Sequence, residues 1–211
     1  KSTIAKTASK ELGFIYVDTG ALYRTIGYYA HINGVEKDDR ASVVSLLPKI
    51  QIELKYVDGA QHVFLNGEDL GDKIRQPIIS MYASAVSAMP EVREFLLETQ
   101  RKIARENSVI MDGRDIGTVI LPDADVKIFL FASNEDRARR RCDELHEKGI
   151  DAKYEDVLAE MNERDKNDSS REIAPAIPAE DAVMLNNSGF TPDDTYNAAL
   201  EIIKSKVGGS L

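Results

Sequence analysis

The stretch Ser108–Pro122, S-V-I-M-D-G-R-D-I-G-T-V-I-L-P, decides the fold class of this chain of 211 residues. It opens with the short apolar run Val109-Ile110-Met111, which is typical of a buried strand. Two carboxylates and a guanidinium group around a glycine follow at once, in Asp112-Gly113-Arg114-Asp115. Because ligands bind at the carboxyl ends of strands in a parallel α/β sheet, this pattern predicts functional residues here. The alternative is a simple Asp-Gly turn in which Arg114 pairs with a neighbouring carboxylate.

A second strand with polar residues at its end is predicted near the start of the chain. The run Phe14-Ile15-Tyr16-Val17 leads into Asp18-Thr19-Gly20, and residues 21–33 show the apolar spacing of a helix that ends at Gly34. This strand end offers Asp18 and Thr19, and Arg24 follows one helical turn later. The place of Arg24 just after a strand and turn favours a ligand role over that of a surface residue.

Strands alternate with helices along most of the chain. Residues 126–132 and 181–185 are further buried strands, and the helices between them predict a parallel sheet with helices on both faces. Residues 50–56 instead alternate between apolar and polar, and Asp58-Gly59 and Asn66-Gly67 are hairpin-type turn signals. We therefore expect a small antiparallel sheet inserted in an α/β chain. We expect the converging strand ends to form one cleft, at which Arg24, Arg93, Arg114, Arg164 and Arg171 point.

The composition excludes several classes of protein. A net charge of −9 argues against a general nucleic-acid binder, which needs a broad basic face. No apolar run approaches the length of a membrane span and no signal peptide is evident, so we expect no membrane association. The single Cys142 cannot form a disulfide within the chain, which indicates a reducing compartment and a cytoplasmic location. The three histidines lack the spacing of metal ligands.

Two segments are unusually rich in arginine for an acidic protein. Residues 137–141 carry four arginines on a predicted helix over residues 134–148, which indicates either an anionic ligand such as a phosphate chain or a solvated face paired with Glu135, Asp136, Asp143 and Glu144. Residues 164–175, which follow a predicted helix over residues 153–165, form a charged segment rich in turn-forming residues. We expect a loop there. Asp168 and Arg171 either bind a ligand or are incidental residues of a mobile loop.

The chain begins with Lys1-Ser2-Thr3 at the start of a predicted helix. This is the second half of the phosphate-binding signature G-x-x-x-x-G-K-[ST], in which the lysine reaches the terminal phosphates and the hydroxyl group holds Mg²⁺. The glycine half lies outside these residues. We expect the native protein to carry a preceding segment of about fifteen to twenty residues, the length of one strand plus a phosphate loop.

Taken together and in order, four motifs resemble those of the bacterial cytidylate kinases. They are Lys1-Ser2-Thr3, the D-T-G-A-L-Y-R segment of residues 18–24, M-D-G-R-D-I-G-T at 111–118 and the charged segment 164–175. The resemblance spans nearly the whole chain. It implies an α/β fold: a three-layer P-loop kinase core with a parallel sheet, an inserted antiparallel-sheet and helical lobe that binds the monophosphate, and a short lid. The corresponding boundaries are residues 1–40, 91–136 and 156–211 for the core, 41–90 for the insert and 137–155 for the lid.

The resemblance implies that the chain transfers a phosphoryl group from ATP, with Mg²⁺, to CMP or dCMP. No nucleic acid or membrane partner is implied, and members of the family commonly act as monomers. One alternative is a P-loop kinase for another small acceptor, such as the hydroxyl acceptor shikimate. The other is a chain that binds CMP but is inactive because it lacks the glycine loop.

The resemblance also assigns roles to individual residues. Lys1, Ser2 and Thr3 would bind ATP, with Ser2 on Mg²⁺ and Asp18 or Asp112 holding the water shell of the metal. Arg24, Arg114 and Arg171 would bind the phosphate of CMP, Thr19 would also bind the substrate, and Arg164 and Asp168 would bind its sugar. Ser84, Arg93 and Asp115 would select cytosine, because a carboxylate accepts from its N4 amino group. The arginines of the lid, which would close over the transferring group and bind ATP, are Arg139, Arg140 and Arg141.

Overall fold

A computed structural model describes residues 1–57, 60–147 and 149–208, and the chain divides into two compact units. The N-terminal unit comprises Ser2 and Ile4–Gly113, and the C-terminal unit comprises Lys1, Thr3 and Arg114–Leu211. No helix among the described residues is long and apolar enough to cross a membrane.

Among its described residues, the N-terminal unit contains five helices and five strands, of which one pair is parallel. Helix α1 (Ser2–Leu12) ends at Gly13, whose φ of 68° fits the left-handed position that follows many helices. Strand β1 (Ile15–Asp18) pairs in parallel with β5 (Val109–Asp112), so that Asp18 lies opposite Asp112. Both motifs that the sequence places at strand ends therefore lie at the same edge of one parallel pair.

The predicted insert is an antiparallel sheet of three strands. They are β2 (Ile52–Val57), β3 (Ala60–Leu65) and β4 (Glu68–Asp69), in the order β2-β3-β4. The predicted turn at Asp58-Gly59 lies outside the described residues. At the other turn, Asn66 and Gly67 both have positive φ, as the Asn-Gly signal predicts.

The remaining helices of this unit surround one apolar core. Helix α2 (Thr19–Ile32) packs closely on α4 (Pro77–Val86), because Gly27 has no side chain to hold the two backbones apart. Helix α3 (Arg40–Leu46) and helix α5 (Pro90–Glu106) complete the unit, with short 3₁₀ turns at Leu47–Lys49 and Gly71–Arg75. Buried residues from α2 to α5 and from β3 form the core.

The C-terminal unit is built on a second parallel pair. Strand β6 (Ile128–Phe131) pairs with β7 (Val183–Asn186). Helix α6 (Asn134–Glu147) packs against α7 (Tyr154–Ser169) around Ala138, Cys142 and Val157. Helix α8 (Pro192–Val207) begins with a capping box, in which Thr191 and Asp194 satisfy each other's backbone N–H groups.

Three sequence predictions need correction. Helix α7 continues four residues beyond its predicted end, so Arg164 to Ser169 are helical and only the following residues form a loop. Pairs at helical spacing, such as Arg164 with Asp168, favour this extension. Helix α2 begins at Thr19, two residues early, because the Asp18 carboxylate caps it. Strands β5 and β6 are half-buried rather than buried, since each pairs on one side only among the described residues.

Candidate active site

In the N-terminal unit, the Asp18 carboxylate at the end of β1 forms an ion pair with Arg24. The Asp18 Oδ1 atom accepts a hydrogen bond from the Ala21 backbone N–H at 3.2 Å, while Oδ2 accepts from Arg24 Nη2 at 2.7 Å. A Cβ atom on Gly20 would lie only 3.0 Å from Arg24 Nη1 and 3.1 Å from Asp18 Oδ1. Glycine is therefore needed here so that the guanidinium group can lie against the first turn of α2.

One donor of Arg24 remains available for an acceptor group. Its Nε atom is buried and has no hydrogen-bond partner. A buried donor without a partner costs about 1–3 kcal/mol, so it is an unusual feature in a purely structural ion pair. An anion that draws the guanidinium group into a new arrangement would remove this cost.

The ends of β1 and β5 are joined by side chains. The buried Thr19 hydroxyl group donates to the Asp112 carbonyl oxygen at 2.8 Å, and the Tyr16 phenol donates to Asp112 Oδ2 at 3.1 Å. Burial raises the pKa of Tyr16, and the negative charges of Asp112 and Asp18 raise it further. The phenol therefore stays protonated and acts as a donor to the Asp112 carboxylate.

Two of the three residues assigned to base recognition, Ser84 and Arg93, lie on α4 and α5. Arg93 is buried, and its Nη1 atom donates to the Ser87 carbonyl oxygen at 2.9 Å. The Arg93 guanidinium carbon also lies 5.5 Å from the centre of the Tyr23 ring on α2, a cation–π distance. The Ser84 hydroxyl group has no hydrogen-bond partner among the described residues, so it is open to a ligand. Arg93 is thus fixed beside the residue that precedes Arg24.

In the C-terminal unit, four arginines surround two aspartates. Asp168 accepts a hydrogen bond from Arg171 Nη2 at 2.5 Å, and its Oδ2 atom forms ion pairs with Arg114 Nε at 3.2 Å and Arg164 Nε at 4.0 Å. Asp165 pairs with Arg137 and lies 3.6 Å from Arg114 Nη1. We call this group of six side chains the arginine cluster.

The arginine cluster has two positive charges more than its carboxylates can neutralise. Desolvation and the neighbouring positive charge of Arg114 lower the pKa of Arg164. Asp168 is only 5% exposed and Arg171 only 11%, so solvent screens their part of the cluster poorly. Such an excess of cations favours the binding of an anion with several oxygen atoms, such as a phosphate group.

Asp115 follows Arg114 in the chain and is 4% exposed. Its carbonyl oxygen accepts from the N–H groups of Val119 at 2.9 Å and Ile120 at 3.3 Å. The Leu121 N–H likewise donates to the carbonyl oxygen five residues earlier, that of Ile116, at 2.7 Å. These bonds form a single π-helical turn, Ile116–Ile120, which the sequence analysis did not predict. Turns of this kind are frequent at functional sites, because they change the direction of the residues beside them.

The arginines of residues 137–141 have separate environments. Arg137 belongs to the arginine cluster, while Arg140 Nη2 donates to the carbonyl oxygens of Asn187 at 2.8 Å and Phe190 at 3.2 Å. Arg141 pairs with Glu144 at 3.2 Å, as expected of a solvated helix face. Arg139 is exposed and has no hydrogen-bond or ion-pair partner within residues 1–57, 60–147 and 149–208.

A small open cavity lies beside these arginines. Its volume is about 220 Å³, and its lining comes from α6 and the loop after β7. Gly189 in this loop donates its N–H to Asp136 Oδ2 at 2.9 Å, and the Phe190 ring is 40% exposed. The lining residues are Asp136, Arg139, Arg140, Asp143, Gly189 and Phe190. An aromatic ring beside cationic side chains can accommodate a flat, polar heterocycle.

The chain start has a donor set that fits Mg²⁺. The side chains of Ser2 and Asp112 both contact the Tyr16 hydroxyl group, so these two oxygen-bearing groups lie near each other. Both carboxylate oxygens of Asp18 already accept hydrogen bonds within the protein, which favours Asp112 over Asp18. Among the described residues, no group of three or more His, Cys, Asp or Glu side chains could hold a metal. A hydroxyl group and one carboxylate suit Mg²⁺, which keeps several waters and is completed by substrate phosphates.

The structure therefore brings some of the expected residues together within each unit. Asp18, Thr19 and Arg24 share one turn, with Arg93 reaching it through Tyr23, and Arg114, Arg164, Asp168 and Arg171 share one cluster. It does not join Arg139, Arg140 or Arg141 to that cluster. Sequence reasoning missed the contacts of three residues: Tyr16 with Asp112, and Arg137 with Asp165.

The parallel strand pairs, the inserted antiparallel sheet and the Lys-Ser-Thr helix start fit the core of a P-loop kinase. The family model described as cytidylate kinase matches residues 1–205. A cytidylate kinase of Caldicellulosiruptor bescii is 48% identical over 202 residues, which cover 96% of this chain and 89% of that relative. A cytidylate kinase of Fervidobacterium nodosum is 45% identical and covers 98% of this chain and 92% of its own length. The chain belongs to the cytidylate kinase family.

Proposed function

We propose that this protein transfers the γ-phosphoryl group of ATP to CMP and dCMP and releases ADP with CDP or dCDP. The observation that carries the proposal is the arginine cluster, in which four guanidinium groups share two carboxylates on a chain whose net charge is −9. Membership of the cytidylate kinase family supports the same activity.

The acceptor requires charge neutralisation rather than a general base. A nucleoside monophosphate is already ionised at neutral pH, so its oxygen needs no deprotonation before it attacks the γ-phosphorus. The main barrier is the repulsion between two anions, and phosphoryl transfer depends mostly on positioning and charge stabilisation. Arg24, Arg114 and Arg171 bind the CMP phosphate. Asp18 pairs with Arg24, and Asp168 pairs with Arg114 and Arg171, so the three guanidinium groups are already oriented before CMP binds.

Cytosine is selected by a buried carboxylate and by donors on α4 and α5. The buried Asp115 accepts a hydrogen bond from the N4 amino group of cytosine. The O4 atom of uracil is an acceptor, so it cannot form a hydrogen bond with this carboxylate and is repelled by it. Arg93 and Ser84 donate to the remaining acceptors of the ring. The sugar hydroxyl groups bind Asp168 and Arg164, since a carboxylate offers about four acceptor sites and the cluster does not use them all.

ATP binds to the chain start and to the lid. Lys1 and the N–H groups at the start of α1 hold the terminal phosphates, with Thr3 beside them. Arg140 binds ATP from the lid, and Arg139 and Arg141 approach the transferring group. Mg²⁺, held by Ser2 and through water by Asp112, supplies neutralisation of the phosphate charge when it is bound.

The domain boundaries proposed for this activity are residues 1–40, 91–136 and 156–211 for the core, 41–90 for the insert and 137–155 for the lid. We further propose that the protein acts as a monomer in the cytoplasm. The buried and unpaired Cys142 is compatible with a reducing compartment.

The test separates catalysis from binding. The chain, and the same chain extended at its N-terminus by a strand and a glycine-rich loop, are incubated with Mg·ATP and either CMP or shikimate. The nucleotides are then separated by anion-exchange chromatography. We expect the extended chain to form CDP and ADP in equal amounts with CMP, and no ADP with shikimate. Tight binding of CMP by both chains without CDP from either would show that the protein is a binding module, and ADP formed only with shikimate would show a different acceptor.

A further inference from the structure

A glutamine of the inserted sheet holds the backbone of Asp18. Gln61 lies on β3, and its Oε1 atom accepts a hydrogen bond from the Asp18 backbone N–H at 2.9 Å. Its Nε2 atom donates to the Asp18 carbonyl oxygen at 3.4 Å. A single side chain therefore satisfies both backbone groups of the residue that ends β1 and caps α2.

The geometry of β1 explains why this residue is accessible to the insert. Ile15 bonds to Ser108, so its backbone groups point towards β5. Backbone groups of successive residues in a strand point to opposite sides, so those of Asp18 point away from β5. The carboxamide of Gln61 occupies the place that a neighbouring strand would take.

Gln61 holds the residue, Asp18, that orients Arg24, the arginine that we assign to the CMP phosphate. The Asp18 carboxylate binds the Arg24 guanidinium group and the N–H of Ala21 at the same time. If the Asp18 backbone rotates, the direction of this carboxylate changes and Arg24 loses its orientation. No other side-chain bond to the Asp18 backbone is seen among the described residues.

We propose that Gln61 is a positioning residue, which acts through Asp18 to orient Arg24 for the acceptor phosphate. It makes the inserted sheet part of the acceptor-phosphate site, although no residue of the sheet carries a positive charge towards that phosphate in our assignment. The inference rests on the proposed function, because it takes the ligand of Arg24 to be the phosphate of CMP. The competing explanation is that Gln61 only attaches the insert to the rest of its unit.

Calorimetric titration without ATP distinguishes the two explanations. Gln61→Met removes both hydrogen-bonding atoms and keeps the length of the side chain. We expect it to weaken CMP binding about tenfold, because a fall of the correctly oriented Arg24 to about one tenth of the molecules reduces the apparent affinity by the same factor. The binding of cytidine, which has no phosphate, should be unchanged. In the Arg24→Met background, Gln61→Met should have no further effect on CMP binding, because the residue through which it acts is absent.

The matched control is Gln51→Met, since Gln51 is exposed directly before β2 and its side-chain Nε2 atom donates to Glu53 Oε1 at 3.0 Å rather than to Asp18. Amide hydrogen exchange adds a readout that does not depend on binding: the Asp18 N–H should exchange faster in Gln61→Met and be unchanged in Gln51→Met. Gln61→Asn, whose shorter side chain does not reach Asp18, replaces Gln61→Met if that variant fails to fold.

The outcomes separate this inference from the proposed function. An equal loss of CMP and cytidine binding, or an undiminished effect in the Arg24→Met background, would show a purely structural role for Gln61. Unchanged CMP affinity in Gln61→Met would overturn the inference while the wild type still binds CMP. A wild type that does not bind CMP would overturn the proposed function, and the inference would fall with it.

Discussion

Arg171 donates to Asp168 at 2.5 Å, and the two side chains are only 11% and 5% exposed. They lie three residues apart, Asp168 in the last turn of α7 and Arg171 just after it. Asp168 also forms an ion pair with Arg114, which comes from a distant part of the chain. One buried carboxylate therefore links the end of α7 to the D-G-R-D motif, and it keeps two guanidinium groups of like charge at a short distance from each other.

Removing this carboxylate should destabilise the protein strongly. Asp168→Ala leaves Arg114 and Arg171 without their shared partner in a poorly hydrated place. Breaking a buried ion pair by removing one partner costs about 3–5 kcal/mol. Urea denaturation measures the free energy of unfolding of the variant. Glu163→Ala is the control, because Glu163 is exposed on the same helix and should change stability by less than about 0.5 kcal/mol. Similar free energies for both variants would show that Asp168 is not a structural link.

Gly20 and Gly27, both on α2, should respond differently to alanine. In Gly20→Ala the new Cβ atom meets the ends of the Arg24 and Asp18 side chains, which can move, so the thermal midpoint should be unchanged or slightly higher. The displaced Arg24 should raise KM for CMP roughly ten- to hundredfold, with KM for ATP unaffected.

Gly27→Ala is the matched comparison. Its Cβ atom would lie 2.8 Å from Tyr82 Cβ and 3.0 Å from the Ala83 backbone nitrogen, so α2 and α4 must separate. Overpacking of this kind costs about 1–3 kcal/mol. We expect a lower thermal midpoint and an unchanged KM for CMP in this variant. If Gly20→Ala instead lowers the midpoint and leaves KM as it is, the close approach of Arg24 to α2 has no role in binding.

Asp115→Asn should weaken discrimination against UMP. The amide can donate to the O4 atom of uracil, whereas the carboxylate cannot, so the ratio of kcat/KM for CMP to that for UMP should fall at least about tenfold. Steady-state kinetics with both acceptors measures this ratio. Asp123→Asn, at an exposed position outside the π-helical turn, should leave it unchanged. A wild-type ratio in Asp115→Asn would contradict the assignment of Asp115 to the base.

The capping box of α8 should contribute stability that depends on pH. Hydrogen bonds from the Thr191 hydroxyl and backbone N–H groups lower the pKa of Asp194 below its ordinary value of 3.8. A carboxylate with a lowered folded-state pKa stabilises the protein above its unfolded-state pKa, and this stabilisation is lost as the pH falls through the folded-state value. Asp194→Asn should therefore lower the thermal midpoint at pH 7, and the difference from wild type should shrink below pH 3.8.

Asp193→Asn is the control for this prediction, since Asp193 lies in the same first turn but outside the capping box. It should show a smaller difference at pH 7. If the effect of Asp194→Asn is the same at pH 7 and at pH 3, the lowered pKa of Asp194 does not contribute to stability.

Much of the fold could be predicted from the sequence because its signals are local. Pro90 stands at the first position of α5, and the Thr191-Pro192 pair marks the start of α8; such signals can be recognised in a sequence because capping needs only neighbouring residues. The alternating pattern of residues 50–56 likewise predicts β2. The predicted end of α7 is wrong because Asp168 and Ser169 are typical of turns. Asp168 pairs with Arg164 and Arg171 nearby in the sequence, and only its third ion pair, with Arg114, involves a distant residue.

The sequence predicts only those site residues that belong to a recognisable motif. Arg24 and Arg114 follow strand ends, so the general rule for parallel sheets identifies them. Gln61 has no such signal: it is one polar residue in an alternating strand, and its importance comes from the backbone groups of Asp18, which are 43 positions earlier in the chain. Arg137 and Asp165 likewise meet only because α6 and α7 pack against each other.

The most direct test of the central claim is a coupled ADP-release assay with Mg·ATP and a panel of acceptors. The panel comprises CMP, dCMP, UMP, AMP and shikimate, and the assay is run on the chain and on its version extended by a strand and a glycine-rich loop. We predict turnover with CMP and dCMP, much weaker turnover with UMP, and none with AMP or shikimate. Turnover that is equal for all the nucleotides, or that occurs only with shikimate, would contradict the assignment of the arginine cluster and Asp115 to a cytidine monophosphate.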